Sequence, residues 1–402
     1  MNRILALILV FTLLIPALSF AELDEDDFSS RDLVEDVDLD DEDADGEGDS
    51  VPENANAEPL PPELQEELTA GMESADYVPT ELDMDNLYIN QNLPGNVINI
   101  LLIGVDTRNP ELEENDVKLA DVQMILSVDT ESGTVKLSSI LRDTLVTNPF
   151  TGNLKPINQS YQSFDSKNKF HDNPQRSVAT VNYNFEMNIE YYMTINFRGV
   201  VAIIDAIGGI DLELTKGEAD NINYYLKKNA KSILRHYDTA EAKAARVELE
   251  VKDGVQHLDG LQALMYARLR QNKTKKKYNL GDDWQRTFRT RNLLDKLLQK
   301  VLQMDVFDLL DLVSLGVEYV NSNMNVDFMG NLIFKLLGSG IVSRIGSSES
   351  LIGQFRIPMD DTWGYDQDSG KIFMSRRNGN FQKNIEALHE FIYGRYYPAN
   401  PE

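Results

Sequence analysis

Segregated charge sets the first limit on what this chain can fold into. Of the formal net charge of −28, −25 falls between Glu22 and Asp85, where 26 acidic residues meet a single basic one, Arg31. Carboxylates at that density repel one another. The segment is rich in Pro, Asn and Glu and poor in aromatics, so it buries too little apolar surface to offset the entropy of ordering it. Residues 22–87 are therefore expected to be a disordered, extended acidic spacer. Inside it, Asp41-x-Asp43-x-Asp45-Gly46 opens like an EF-hand loop. Pro52 stands at the twelfth position, where a bidentate Glu is required, so the tract reads as solvated rather than calcium-binding.

Met1–Ala21 carries Arg3, an apolar run Ile4–Phe20 and the ending Ser19-Phe20-Ala21. This is the pattern of a secretory signal, and cleavage is the reading taken. An uncleaved anchor is the alternative, since an apolar run of 17 residues meets the lower limit for crossing a bilayer, about 17. Both readings place the body extracytoplasmically, secreted or held at the outer face of the cytoplasmic membrane. No cysteine is present, which excludes disulfides, thiolate metal sites and a cysteine nucleophile. A near-neutral body behind an acidic tail carries no nucleic-acid signature and is repelled by phosphate backbones.

The 42% hydrophobic content suffices for a large core. Asn99–Gly104 reads as a buried strand, and Val122–Val128 and Val135–Ile140 as two strands joined through a turn at Asp129–Gly133. Ser177–Asn184 reads as helix, Tyr191–Asn196 as strand, Phe197–Ile207 as helix stopped by Gly208-Gly209, and Ile210–Leu214 as strand. Residues 215–245 read as an inserted helical excursion on the surface. A helix follows Leu258, and a longer one capped by Asp283 runs to about Val301. Short strand-like pieces, Gln354–Ile357 and Lys371–Met374, precede a final helix near Gln382–Ile392. Alternation of this kind predicts an α/β fold. The domain scheme is a signal or anchor (1–21), the spacer (22–87), a catalytic domain (88–305) and a C-terminal helical or mixed extension packing on it (306–402).

Chemistry gathers at two places. Tyr266–Arg291 holds Arg268, Arg270, Arg286, Arg289 and Arg291 in an otherwise acidic chain, a set of planar donors suited to oxyanions. Asp106 closes one strand-like run and Asp121 opens another, as paired ligands of a divalent cation would. Cation and oxyanion donors together point to phosphoryl chemistry. Taken singly, these residues have plainer readings: Asp106 as a turn, Arg286 and Arg289 as a solvated helix face, Tyr266 as core and Lys273–Lys277 as a mobile loop.

Six ordered blocks overturn the plainer readings of the aspartates and arginines. Asn99–Arg108, Ala120-Asp121, Ser139–Thr144, Ile207–Ile210, Leu258–Arg270 and Asp283–Arg289 resemble, in order and spacing, the motifs of the LytR-CpsA-Psr family. The resemblance covers roughly residues 95–300. It implies a three-layer α/β/α sandwich with a mixed central sheet. It further implies a Mg²⁺-dependent phosphotransferase that moves a glycopolymer from a polyprenyl pyrophosphate carrier to peptidoglycan at the membrane surface. By position, Asp106 and Asp121 would hold Mg²⁺. Arg142, Arg268, Arg270 and Arg286 would grip the pyrophosphate, with Arg108 and Arg289 as further donors or braces, and Asp106, Arg142, Arg268 and Arg270 form the expected catalytic set. The chain departs from the family pattern at Leu119 (Arg expected, with Lys118 beside it), Leu141 (Pro expected) and Thr290 (Gln expected). These departures keep open a noncatalytic polyprenyl-phosphate-binding or regulatory protein. The lipid channel such a carrier requires would draw on Phe197–Ile207 and on Leu293, Leu294, Leu297 and Leu298, which suit a core equally well.

Overall fold

A computed structural model describes residues 79–105, 119–164, 170–234, 248–269 and 352–399, with shorter stretches and isolated positions between 272 and 332. The signal or anchor and most of the spacer lie outside the described residues, as do Asp106, Arg108, Arg270, Arg286 and Asp283. Among the described residues no helix is long and apolar enough to cross a membrane.

The chain lays down β1 (Val97–Val105), β2 (Ala120–Asp129) and β3 (Val135–Ile140) as an antiparallel meander. Small hairpins follow, β4 (Leu145–Thr147) with β5 (Leu154–Pro156) and β6 (Gln162–Phe164) with β7 (Phe170–Asp172), and then helix α1 (Pro174–Phe185). Next come β8 (Tyr191–Asn196), α2 (Phe197–Ala206), β9 (Ile210–Leu214), α3 (Lys216–Leu234), β10 (Gly254–Leu258) and α4 (Gly260–Arg268). The remainder holds β11 (Val320–Ser322), β12 (Ile352–Ile357), β13 (Gly364–Tyr365), β14 (Ile372–Phe373) and α5 (Asn380–Tyr393).

Six strands form one sheet in the order β11-β8-β1-β2-β3-β12. β1 runs parallel to β8, and β3 runs parallel to β12. Since β2 is antiparallel to both β1 and β3, four strands share one direction, and β2 and β11 oppose them. The mixed sheet has the expected α/β class. β1 is buried along nearly its whole length because both faces are covered. Ile100 and Leu102 point into one core with Met124, Leu126, Ile203, Ile204 and Leu264. Leu101 and Ile103 point into the other with Val178, Val181, Phe185, Ile385 and Leu388. Alternate residues of one strand thus serve opposite layers.

Three expected boundaries move. Leu82 packs on the second core and Leu87 is fully buried, so the folded body begins before residue 88. Asp83 caps a short 3₁₀ turn there, giving local work to a residue of the acidic tract. The stretch expected as a surface excursion contributes α3, whose Ala219 and Ile222 enter the first core. Residues 306–402 are more than an extension packed on a finished domain, since β11 and β12 are the two edge strands of the central sheet.

Helix α5 fixes that C-terminal region. Phe381 stacks on Phe185 with centroids 5.7 Å apart. His389 is fully buried; its Nε2–H donates to the Phe185 carbonyl at 3.0 Å, and its Nδ1 accepts from the Tyr397 amide at 3.3 Å. Acceptance at Nδ1 needs the neutral ring, and burial holds its pKa below the usual imidazole value despite the opposing pull of the Glu186 carboxylate and the backbone bonds.

A fragment ending at 305 lacks β11, β12 and α5 and is expected to be insoluble or molten, which solubility and near-UV circular dichroism will show. The histidine sets a pH dependence. A folded pKa below the unfolded value means stability is complete above about 6.5 and declines as pH falls through the folded pKa. His389→Gln should flatten that acid limb in chemical denaturation measured from pH 7.5 to 5.

Candidate functional site

Because β1, β3, β8 and β12 run the same way, their carboxyl ends share one edge of the sheet, where ligands of α/β proteins gather. β1 ends there at Val105 after a register shift between Gly104 and Val105, a local kink of the kind that re-aims side chains. Asp121 opens β2 at the same edge, and Arg142 lies two residues past the end of β3.

The turn carrying Arg142 is tied to three segments. Leu141 N–H donates to Ile357 O at 2.9 Å, and Thr144 N–H closes the turn on Leu141 O at 3.0 Å. The Arg142 carbonyl accepts from Asn158 N–H at 3.1 Å, Asp143 O from Ile372 N–H at 3.1 Å, and Thr144 O from Ile157 N–H at 2.9 Å. Asp143 adds an ion pair with Lys371 at 2.8 Å. Leucine at 141 in place of the family's proline thus has a structural use. It supplies an N–H that proline lacks and continues the β3–β12 ladder by one bond.

On this scaffold Arg142 Nη1 lies 3.3 Å from Asp121 Oδ1, with side chains 9% and 2% exposed. Asn158 Nδ2 donates to the same oxygen at 3.4 Å. Both distances exceed the 2.7–2.9 Å of a tight charge-assisted bond, so the carboxylate is held without being saturated. Asn158 comes from the 3₁₀ turn Ile157–Tyr161, and its own Oδ1 is buried without a partner. An amide oxygen with no partner among the described residues, beside a carboxylate, makes a pair of hard oxygen donors, which suits Mg²⁺. Sequence reasoning missed Asn158, because an amide on a short 3₁₀ turn leaves no periodic or spacing signal.

The arginines divide into different roles. Arg268 is the last residue of α4, a helix started by the Asp259/Gln262 capping box and carrying the buried Tyr266 in the core. A cation there also complements the helix dipole. Arg289, expected to grip pyrophosphate, is 3% exposed and committed to the protein. Its Nε meets Glu218 Oε1 at 2.7 Å, its Nη1 meets Leu269 O at 2.9 Å, and its Nη2 donates to Leu280 O. It therefore acts as a brace, the other role the sequence left open. Glu218 of α3 and Arg289 together fix the backbone immediately after Arg268. The expected channel leucines Leu293 and Leu297, like Val200, Ile203 and Ile204 of α2, are core residues; Leu294 and Leu298 lie outside the described residues.

Fold and site define an α/β protein with a carboxylate–guanidinium–amide cluster at the carboxyl edge of its parallel strands. The LytR_cpsA_psr family model matches residues 68–375, and the chain belongs to that family. It is 26% identical over 249 residues to Biofilm regulatory protein A of Streptococcus mutans, covering 60% of this chain and 52% of that one. It is 24% identical over 263 residues to the Bacillus subtilis polyisoprenyl-teichoic acid–peptidoglycan teichoic acid transferase TagV, covering 64% and 58%. The chain thus spans little more than half the length of these relatives. The crystal structure of protein gbs0355 from Streptococcus agalactiae superposes with a TM-score of 0.51 at 19% identity, covering 75% of this chain and 89% of that one, a likeness of fold alone.

Arg289→Ala is expected to lower stability by about 3–5 kcal/mol, the cost of leaving a buried partner charge uncompensated. Arg142→Ala leaves the buried Asp121 carboxylate with the Asn158 amide alone and should cost a comparable amount. Urea denaturation of the two variants side by side will test both.

Proposed function

We propose that the chain is a Mg²⁺-dependent glycopolymer phosphotransferase working at the outer face of the cytoplasmic membrane. In this reading it takes a glycan phosphate from a polyprenyl pyrophosphate carrier and attaches it to peptidoglycan. The observation that carries the reading is the cluster of Asp121, Arg142 and Asn158 where the parallel strands end. Family membership and relatives named as teichoic acid transferases support it.

The chemistry follows from the donor set. An acceptor hydroxyl oxygen bonds to the glycan-side phosphorus while the bond from that phosphorus to the bridging oxygen breaks. Polyprenyl phosphate departs and carries away the hydroxyl proton, as a phosphate with a second pKa near 6 can. Charge builds on the bridging and non-bridging oxygens, and pre-placed guanidinium groups stabilise it without reorganising. Arg142 is pre-placed by its tethered turn. Arg268 stands on a braced helix end, and Arg108, Arg270 and Arg286 are assigned beside them by motif. Asp121, Asn158 Oδ1 and, by motif, Asp106 would hold Mg²⁺, which supplies a Lewis acid at the pyrophosphate oxygens.

The test uses the purified protein, a synthetic polyprenyl pyrophosphate-linked sugar and peptidoglycan oligomers, with released polyprenyl phosphate as the readout. Release should require both acceptor and Mg²⁺ and stop with EDTA. Asp121→Asn and Arg142→Ala should each lower the rate by about 10²–10³-fold, the range for a lost transition-state donor, measured at a temperature where denaturation shows each variant still folded. Tight binding of the lipid without release in the parent protein would overturn the transferase in favour of a lipid-binding protein.

A further inference from the structure

Seven large hydrophobic side chains are exposed among the described residues, and five of them, Met84, Tyr88, Phe150, Leu154 and Tyr183, belong to three segments that meet. These are the stretch before β1, the β4–β5 hairpin and helix α1. Tyr88 stands edge-on to Phe150 at 6.3 Å and to Tyr183 at 5.3 Å between centroids, both at 79°. Each ring remains 44–46% exposed. Tyr88 holds φ 56, the left-handed region that a bulky side chain seldom adopts, so the backbone is strained where it presents the ring. The segment is pinned all the same, since Asp83 and Gln175 exchange two hydrogen bonds of 2.8 and 2.7 Å.

One hairpin links this face to the candidate site. The hairpin bearing Phe150 rises three residues after Arg142 and returns two residues before Asn158; its strands, three residues long, span roughly 10 Å. Arg176 of α1 lies 5.7 Å over the Phe150 ring, and its buried Nε has no partner among the described residues.

We propose that the aromatic face is the subsite for the sugar strand of the acceptor, an uncharged hexosamine polymer whose C–H faces stack on the rings. The proposal rests on the transferase reading, for which it supplies the acceptor side. Charge selects this occupant. Asp83 and Asp85 belong to the segment that presents Tyr88, Arg176 lies over Phe150, and Arg376 is bonded to Thr147 and to Asn184, next to Tyr183. Such a mixed rim neither attracts an anionic bilayer, which favours basic segments, nor steers a polyanion. Size argues against a second copy of the chain. Five half-exposed side chains offer roughly 400 Å², about half of the ~800 Å² per partner of a stable interface. Ring faces with a negative quadrupole suit the electropositive C–H face of a pyranose.

The full-length protein should bind peptide-free N-acetylhexosamine oligosaccharides in calorimetry. The double variant Tyr88→Ala/Phe150→Ala should lose about 10-fold or more in affinity, a fair return for two lost stacking rings. Its affinity for the polyprenyl pyrophosphate-linked sugar should stay at the parent value. Tyr183→Ala, on an exposed helix face, provides an independent variant if the double change impairs folding, and Tyr88→Trp should retain binding. Oligosaccharide affinity unchanged in these variants would overturn the proposal. So would loss of binding to phosphatidylcholine vesicles, or of self-association, in its place. Binding does not depend on turnover: Asp121→Asn should still hold the oligosaccharide, so a failed transferase assay and a failed subsite remain distinguishable.

Discussion

The candidate site depends on one short turn, Leu141–Thr144, whose backbone is anchored to β12, β14 and the 3₁₀ segment Ile157–Tyr161. A long arginine loses considerable rotamer freedom when it is held against a ligand. Anchoring its backbone on three sides, and its head group on the buried Asp121, removes part of that cost in advance. Two of those anchors come from beyond residue 350, so the C-terminal region is part of the site's framework. Asp143, paired with Lys371, completes the tie from the side-chain direction.

A second brace works at the end of α4. Arg289 spends its guanidinium on Glu218 and on the carbonyls of Leu269 and Leu280. A buried ion pair is weak evidence for added stability, yet its geometry fixes whatever it touches. Here it touches the residue that follows Arg268. α3, which supplies Glu218, therefore links the first core to the arginine-bearing segment. The two braces hold separate arginines on separate elements, so each is positioned by its own backbone ties.

Much of the fold was legible. Continuous apolar runs gave β1 and β2, since strands covered on both faces need no polar alternation. Gly208-Gly209 marked the end of α2, and both glycines adopt positive φ. The site was legible only in part. Asp121 and Arg142 were visible because the family motifs carry them, and the structure brings them together. The sequence leaves Arg289 between phosphate donor and brace, because nothing local announces Glu218, 71 positions away. Asn158 gave no signal for the same reason: its meaning lies in Asp121 and Arg142, 37 and 16 residues distant.

By itself, the sequence determined the segregation of charge, much of the run of strands and helices, and the family. These follow from composition, from periodicity and from ordered motifs, all properties that neighbouring residues share. Only the tertiary structure decided which strands end at the same edge, that the last hundred residues close the sheet, and which arginine is a brace. Those outcomes depend on long-range pairing and burial, which set the partner of each charge and cannot be read from spacing along the chain.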